Sequence, residues 1–319
     1  MTEGPGFDSL SVIIPTYNRE SVLAKALDGY LAQSSPRLIR ELIVVDDGST
    51  DGTESMVREF SQRSAFPIRY LQQPNKGPAA ARNLGIREAR SALVLFTDSD
   101  IVPERDLVEQ HTEWHQKNPR TTAAMLGYVT WSPEIRATPF MRWYGECQLF
   151  NFDQLSNRQE ASFHSFYTCN LSLKTEFLRT CGQFDEEFKS AAYEDTELGY
   201  RLSRRGLKLF YNRSAIAYHY QFFRFEDACR KNLGKADATQ LFFRKEAGLQ
   251  VLKENQRRQS RAGYVLAKWI AQRVVRVLSP ARRFLDTTIP LPRIVYHLFF
   301  WGSATKDALA MMDDKKVSD

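Results

Sequence analysis

The sequence predicts an α/β fold: a mostly parallel sheet flanked by helices, followed by a basic helical extension. Three observations carry the prediction. Short apolar runs rich in β-branched residues alternate with helical patterns through the first hundred residues. Three of those runs end in polar clusters, and the excess positive charge lies almost entirely after residue 223.

The first strand is Leu10 to Ile14, closed by Thr16-Tyr17-Asn18, and a helical pattern follows near Val22 to Gln33. The second strand, Glu41 to Val45, runs into Asp46-Asp47-Gly48-Ser49. Asp51 and Thr53 stand where a cap is needed for the helix Thr53 to Arg63. A third strand, Ile68 to Leu71, leads to Gly77-Pro78, a helix start with proline in the first turn, and the helix Pro78 to Glu88. The fourth, Ala92 to Thr97, ends in Asp98-Ser99-Asp100. In open α/β sheets ligands bind beyond the carboxyl ends of the strands, so these clusters are expected to share one crevice.

From Ala123 to about Tyr220 the pattern is mixed. A strand is expected at Ala123 to Val129, an aromatic stretch at Phe140 to Phe152, a strand at Phe166 to Leu173 and a helix at Glu194 to Arg205. After His219 the chain reads as helical and basic. From Arg224 to Arg283 there are 15 Lys and Arg against 5 Asp and Glu, a local +10 within an overall +6. Tyr264 to Leu278 gathers Val265, Leu266, Trp269, Ile270, Val274, Val277 and Leu278 on one stripe. Such a segment suits an anionic membrane surface, or its stripe packs on the catalytic domain or a second subunit.

The 319 residues, 43% hydrophobic and 26% charged, have an ordinary globular balance. No stretch reaches the roughly 18 to 20 apolar residues of a membrane span; Ile289 to Trp301 is interrupted by Arg293 and His297. No basic-then-apolar leader is readable, so a cytoplasmic protein, or one peripheral on the cytoplasmic membrane face, is expected. The four cysteines lack C-x-x-C pairing, which argues against a zinc ribbon. The basic segment carries no RNP, KH or helix-turn-helix pattern, so no nucleic-acid partner is expected.

Asp98 and Asp100 at a strand end present hard oxygen ligands suited to Mg²⁺ or Mn²⁺, which would bind a diphosphate. Taken alone, the same triplet is ordinary turn chemistry. Tyr17 is placed to stack on a base, and a carboxylate after the second strand is placed to accept from a pyrimidine N–H. Arg82 either holds a nucleotide or pairs with an aspartate. Glu194 and Asp195 in a first helical turn are explained by the helix dipole alone. No G-x-G-x-x-G stands at the first turn, which excludes a nicotinamide dinucleotide fold.

Taken together, P-T-Y-N (Pro15 to Asn18), V-V-D-D-G-S-T-D (Val44 to Asp51), N-K-G-P-A-A-A-R-N (Asn75 to Asn83) and T-D-S-D (Thr97 to Asp100) resemble the family 2 glycosyltransferases with the Rossmann-like GT-A fold. The resemblance covers about residues 9 to 220. It implies a catalytic domain at 1–222, divided into a nucleotide-binding half at 9–103 and an acceptor half at 104–222, with 223–319 as the basic helical region. It implies that Pro15 and Tyr17 line the nucleoside pocket, Asp47 binds the base and Arg82 supports the pocket. Asp98 would approach the ribose or a Mn²⁺ or Mg²⁺ ion, and Asp100 would bind that metal, with His219 as a further ligand. Asn170 would flank the sugar pocket. Asp195, with Glu194 behind it, would be the general base of an inverting transfer from a UDP-linked donor to a glycan or lipid-linked acceptor. The rivals are a nucleotidyltransferase, which lacks its Gly-rich basic loop here, and a non-catalytic scaffold of the same fold, in which the acidic pairs would be broken.

Overall fold

A computed structural model describes residues 7–149, 152, 155, 157, 159–258, 284–288, 290–297 and 299–300. The stripe from Tyr264 to Leu278 lies outside the described residues. The chain divides into two compact units, one of residues 1–135 and 150–221 and another of 136–149 and 222–319.

The first unit is built on one sheet. Its strands are β1 (Leu10–Thr16), β2 (Ile39–Asp46), β3 (Ile68–Gln72), β4 (Leu93–Thr97), β5 (Ile101–Pro103), β6 (Ala123–Trp131), β7 (Glu160–Ala161), β8 (Asn170–Lys174) and β9 (Lys208–His219). The spatial order is β3-β2-β1-β4-β8-β6-β9-β5, with β7 on β9. From β3 to β4 the pairing is parallel. β8 then runs antiparallel to both β4 and β6, and β9 runs parallel to β6. All seven residues of β1 are buried, as a continuous apolar strand between two helical layers must be.

The helices of this unit are α1 (Glu20–Leu31), α2 (Thr53–Arg63), α3 (Pro78–Glu88) and α4 (Leu107–Lys117), and, after the α5 that belongs to the second unit (Pro139–Tyr144), α6 (Thr175–Cys181) and α7 (Glu194–Arg204). α1 buries Leu23, Ala26, Leu27 and Tyr30, the i, i+3, i+4, i+7 stripe of a helix on a sheet. α3 has Pro78 in its first turn and buries a run of small residues, Ala79 to Ala81.

The expected strand at Phe166 to Leu173 is displaced: it begins at Asn170. Phe163–Ser165 form a 3₁₀ turn ahead of it, with the Ser162 hydroxyl accepting from the His164 N–H at 3.4 Å, and residues 166–169 are turn and coil. The three-residue β5 was not foreseen, because Ile101–Pro103 is too short to show a period; it pairs with the end of β9.

The second unit holds α5, then α8 (Phe225–Leu233), α9 (Ala236–Arg244) and α10 (Glu246–Arg258). Its core is aromatic: Phe140 stacks on Tyr144 at 5.6 Å between ring centroids and meets Phe225 edge-on at 5.5 Å, and Trp143 stacks on Tyr296 at 5.7 Å. Among the described residues no helix is long and apolar enough to cross a membrane.

Candidate active site

The crevice forms where β1, β2 and β4 end side by side, because parallel pairing in register carries their carboxyl ends to one edge. Pro15 is buried in β1, and the Tyr17 ring stands 47% exposed beyond it, free to stack. Asn18 adopts a left-handed backbone, φ 49°. It is held by the loop after β2: its N–H donates to Ser49 Oγ at 2.8 Å, and its Oδ1 accepts from the Thr50 N–H at 2.8 Å. Asparagine tolerates that conformation better than most side chains.

Asp47 is 5% exposed and turned into the neighbouring loop. Its Oδ1 accepts from Gln73 Nε2 at 2.7 Å and the Lys76 N–H at 2.8 Å, and its Oδ2 accepts from the Gly77 N–H at 2.8 Å. Only part of Oδ2's capacity remains for a base, so the carboxylate organises the loop 73–77 first. Gly77 has φ +93°, and a Cβ there would lie 2.7 Å from the Lys189 carbonyl oxygen, so only glycine lets this loop meet the segment before α7.

Arg82 joins two of the acidic motifs. Its guanidinium, 3% exposed, donates to Asp98 Oδ1 at 2.8 Å and to Glu194 Oε1 at 2.9 Å. Both alternatives left open by the sequence thus narrow to pairing with acids that line the crevice. Arg82 Nε and Glu194 Oε2 are buried and, among the described residues, have no hydrogen-bond partner. Glu194 and Asp195 open α7 directly after Tyr193, whose φ of 66° is strained for a bulky residue. Asp195 Oδ1 accepts from the Thr196 N–H at 2.7 Å. Burial and the neighbouring Asp195 charge push Glu194 up to about 7 against the pull of Arg82. Burial likewise raises Asp195, opposed by Arg82 and reinforced by Asp98.

Asp100 and His219 lie at the other side of the same loop. Asp100 Oδ2 is 3.7 Å from His219 Nε2 and 3.2 Å from Arg19 Nη1. The Tyr220 N–H donates to the Asp100 carbonyl at 2.7 Å, fixing the end of β9 to the D-x-D loop. Among the described residues no group of three or more His, Cys, Asp or Glu is placed to hold a metal ion. A carboxylate and an imidazole converging on one point, with Asp98 two residues away, are nonetheless a fitting partial donor set for Mn²⁺ or Mg²⁺, which take their remaining ligands from phosphate oxygens and water.

Three contributors were missed. Arg19, directly after P-T-Y-N, faces Asp100. Cys169 lies among the carboxylates: burial, then Asp98, Asp195 and Asp100, hold its thiol well above the usual range. Tyr193 supplies the strained entry to α7. Of these only Arg19 had a signal in the sequence, its adjacency to a recognised block. Asn170 corrects an expectation. It is 1% exposed, its hydrogen bonds go to His111, the Tyr128 carbonyl and the Ala215 carbonyl, and it faces the sheet–helix interior rather than a pocket.

Comparison with known proteins gives the family and the fold. The family described as Glycosyl transferase family 2 matches residues 11–176. Validoxylamine A glucosyltransferase of Streptomyces hygroscopicus subsp. limoneus is 30% identical over 230 residues, 65% of this chain and 50% of that protein. Chondroitin synthase of Escherichia coli is 30% identical over 243 residues, 66% of this chain and 34% of that protein. The chain therefore spans half or less of the length of these two relatives. Among solved structures, the mannosyltransferase PcManGT from Pyrobaculum calidifontis, in complex with GDP-Man and Mn²⁺, superposes with a TM-score of 0.59 at 18% identity, covering 97% of this chain and 88% of its own. TarS from S. aureus in complex with UDP-GlcNAc gives 0.52 at 20% identity, covering 70% and 66%. At these identities the likeness is one of fold, and the fold is GT-A.

Proposed function

This chain belongs to glycosyl transferase family 2, and from that premise we propose that it transfers a sugar from a nucleotide-sugar donor, UDP-linked, to a hydroxyl of a growing glycan or lipid-linked saccharide. The observation that carries the reading is Arg82, one buried guanidinium bonded to Asp98 of the donor-side motif and Glu194 of the acceptor-side motif. It gathers into one crevice the acids that such a transfer needs on both sides of the anomeric carbon.

The chemistry proceeds by single displacement. Asp195, raised by burial, takes the proton from the acceptor hydroxyl as that oxygen attacks the anomeric carbon from the face opposite the nucleotide, so the configuration inverts. Glu194 holds Arg82, and Arg82 holds Asp98. Tyr17 stacks on the base, and the loop fixed by Asp47 borders it. Asp98, Asp100 and His219 would hold a Mn²⁺ or Mg²⁺ ion, which when bound supplies positive charge against the departing diphosphate. Solved neighbours of the same fold, one in complex with GDP-Man and Mn²⁺ and one with UDP-GlcNAc, support a nucleotide-sugar donor and a divalent metal. The basic run from Arg224 to Arg283 is proposed to hold the enzyme on an anionic, cytoplasmic membrane face near a lipid-linked acceptor.

Differential scanning fluorimetry with a panel of nucleoside diphosphates, with and without Mn²⁺, tests the proposal. UDP is expected to stabilise the protein more with Mn²⁺ than without it, and Asp100→Ala to lose the Mn²⁺-dependent part of that stabilisation. Absence of a shift with every nucleotide would refute the donor-site reading.

A further inference from the structure

Behind the crevice the interface between α4 and β8 is polar where a helix on a sheet is ordinarily apolar. Asn170, Ser172 and Lys174, at alternate positions of β8, face His111 and His115, one turn apart on α4, and all five are at most 2% exposed. Their hydrogen bonds form an unbroken chain. Lys174 Nζ lies 2.8 Å from His115 Nδ1, His115 Nε2 lies 2.8 Å from Ser172 Oγ, Ser172 Oγ lies 2.7 Å from His111 Nδ1, and His111 Nε2 lies 2.8 Å from Asn170 Oδ1.

The direction of this chain is fixed by its far end. Asn170 Nδ2 sits 3.2 Å from the Tyr128 carbonyl and 2.9 Å from the Ala215 carbonyl, so the amide must point its N–H groups at them. Its Oδ1 then accepts from His111 Nε2–H. His111 Nδ1 must accept the one hydroxyl proton of Ser172, and Ser172 Oγ must accept from His115 Nε2–H. His115 Nδ1 finally accepts from Lys174, whose other donors go to the Asn118 carbonyl at 2.6 Å and the Ala123 carbonyl at 3.4 Å. Burial holds His111 down to about 4 and His115 well below its usual range, so both rings are neutral at pH 7, as the chain requires.

Asn170 is also the point at which the site's strands are joined. It pairs with Thr97, the residue before Asp98. Its amide bridges β6 and β9 where their register shifts, between Gly127 and Tyr128. β9 then runs to His219, opposite Ile101, and the Tyr220 N–H bonds the Asp100 carbonyl. The packing has no slack: a Cβ on Gly127 would lie 2.2 Å from Asn170 Nδ2.

We propose that Asn170, oriented by His111 through this directional chain, is a positioning residue that sets the spacing between the Asp98–Asp100 loop and His219. The inference rests on the donor-site reading for its consequence in ligand binding, but the placement of β9 is measurable apart from it. Three variants are compared with the wild type: Asn170→Asp, which sets a carboxylate oxygen against two carbonyls, His111→Leu, which keeps bulk but leaves Asn170 unheld, and His111→Gln, which offers an N–H at about the reach of Nε2.

Hydrogen exchange of the Tyr220 amide and calorimetric affinity for UDP with and without Mn²⁺ are the two readouts. His111→Leu is expected to speed Tyr220 exchange and weaken Mn²⁺-dependent UDP binding about tenfold, with Mn²⁺-independent UDP binding unchanged, and His111→Gln to restore both. Asn170→Asp is expected to match or exceed the loss, and its failure to fold leaves the decision to the His111 pair. Unchanged Tyr220 exchange in folded His111→Leu, or a Gln variant no better than Leu, would overturn the proposal. If the wild type binds no UDP, the donor reading falls, and Tyr220 exchange still decides the positioning role.

Discussion

Replacing Arg82 by Met tests the electrostatic centre of the crevice, and the structure fixes how the cost divides. The guanidinium and Glu194 have side chains 3% and 4% exposed, whereas its other partner, Asp98, is 36% exposed. The Asp98 contact is screened and should be worth at most about 1 kcal/mol. Removing Arg82 leaves Glu194 buried beside Asp195 with no counter-charge; at pH 9, well above its value of about 7, Glu194 is ionised in the wild type, and breaking a buried pair there typically costs about 3–5 kcal/mol. Arg82→Met should therefore destabilise the first unit by about that much, and Asp98→Asn by far less. In the double variant Arg82→Met/Glu194→Met the stranded charge is gone, so most of the loss should return. Native-state hydrogen exchange of the β4 amides reads this unit alone. A loss under 1 kcal/mol in Arg82→Met, or a double variant as unstable as the sum of the singles, would refute the argument.

Other outcomes follow from the same site. Asp195→Asn should lower kcat by about 10² to 10⁴-fold while UDP affinity, by calorimetry, stays unchanged. Because burial raises Asp195, kcat/KM should fall with acid at a pH above the ordinary aspartate value of about 3.9, and a limb at that ordinary value would count against it as the base. Glu194 is raised to about 7, so its contribution to stability is complete below the ordinary value of the unfolded chain and is lost as pH rises through about 7. Protection of the β4 amides should thus decline from about pH 4.3, the ordinary glutamate value, to about pH 7, and Glu194→Gln should remove that decline. Gly127→Ala should destabilise by about 1–3 kcal/mol by thermal unfolding, since the added Cβ would meet the Ala215 carbonyl oxygen at 2.6 Å as well as Asn170. Flotation with anionic vesicles should carry the full chain upward, and failure to co-migrate would end the membrane proposal.

The nucleotide half was legible because each of its strands is a short apolar run ending in polar residues, and parallel pairing leaves little freedom in where those ends go. The helices Thr53–Arg63 and Pro78–Glu88 were placed to the residue, since Asp51 and Gly77-Pro78 mark their starts. What the motifs do not disclose is which way a side chain turns. Asp47 spends its carboxylate on three loop donors, and Asn170 points into the α4 interface, because the partners that claim them, Gln73 and His111, carry no mark of proximity in the sequence. No motif of the sequence singles out His111 or His115; only β8, arriving antiparallel some sixty residues later, reveals why they are buried.

The charges of the crevice bear on how a donor would enter it. Four carboxylates, Asp98, Asp100, Glu194 and Asp195, face two guanidiniums, Arg19 and Arg82. Arg82 is buried between two acids and is not free to turn toward phosphate, while Arg19, with its side chain 40% exposed, is held by Asp100 at 3.2 Å and reaches Gln221 only at 3.4 Å. A diphosphate arriving alone would meet an excess of negative charge. A divalent cation at Asp100 would compensate that excess and release Arg19, whose side chain is exposed enough to swing toward the phosphates. Metal and nucleotide should then bind with positive cooperativity, and Arg19→Ala should weaken UDP only when Mn²⁺ is present; an equal loss without the metal would show that Arg19 is committed to the nucleotide rather than to Asp100.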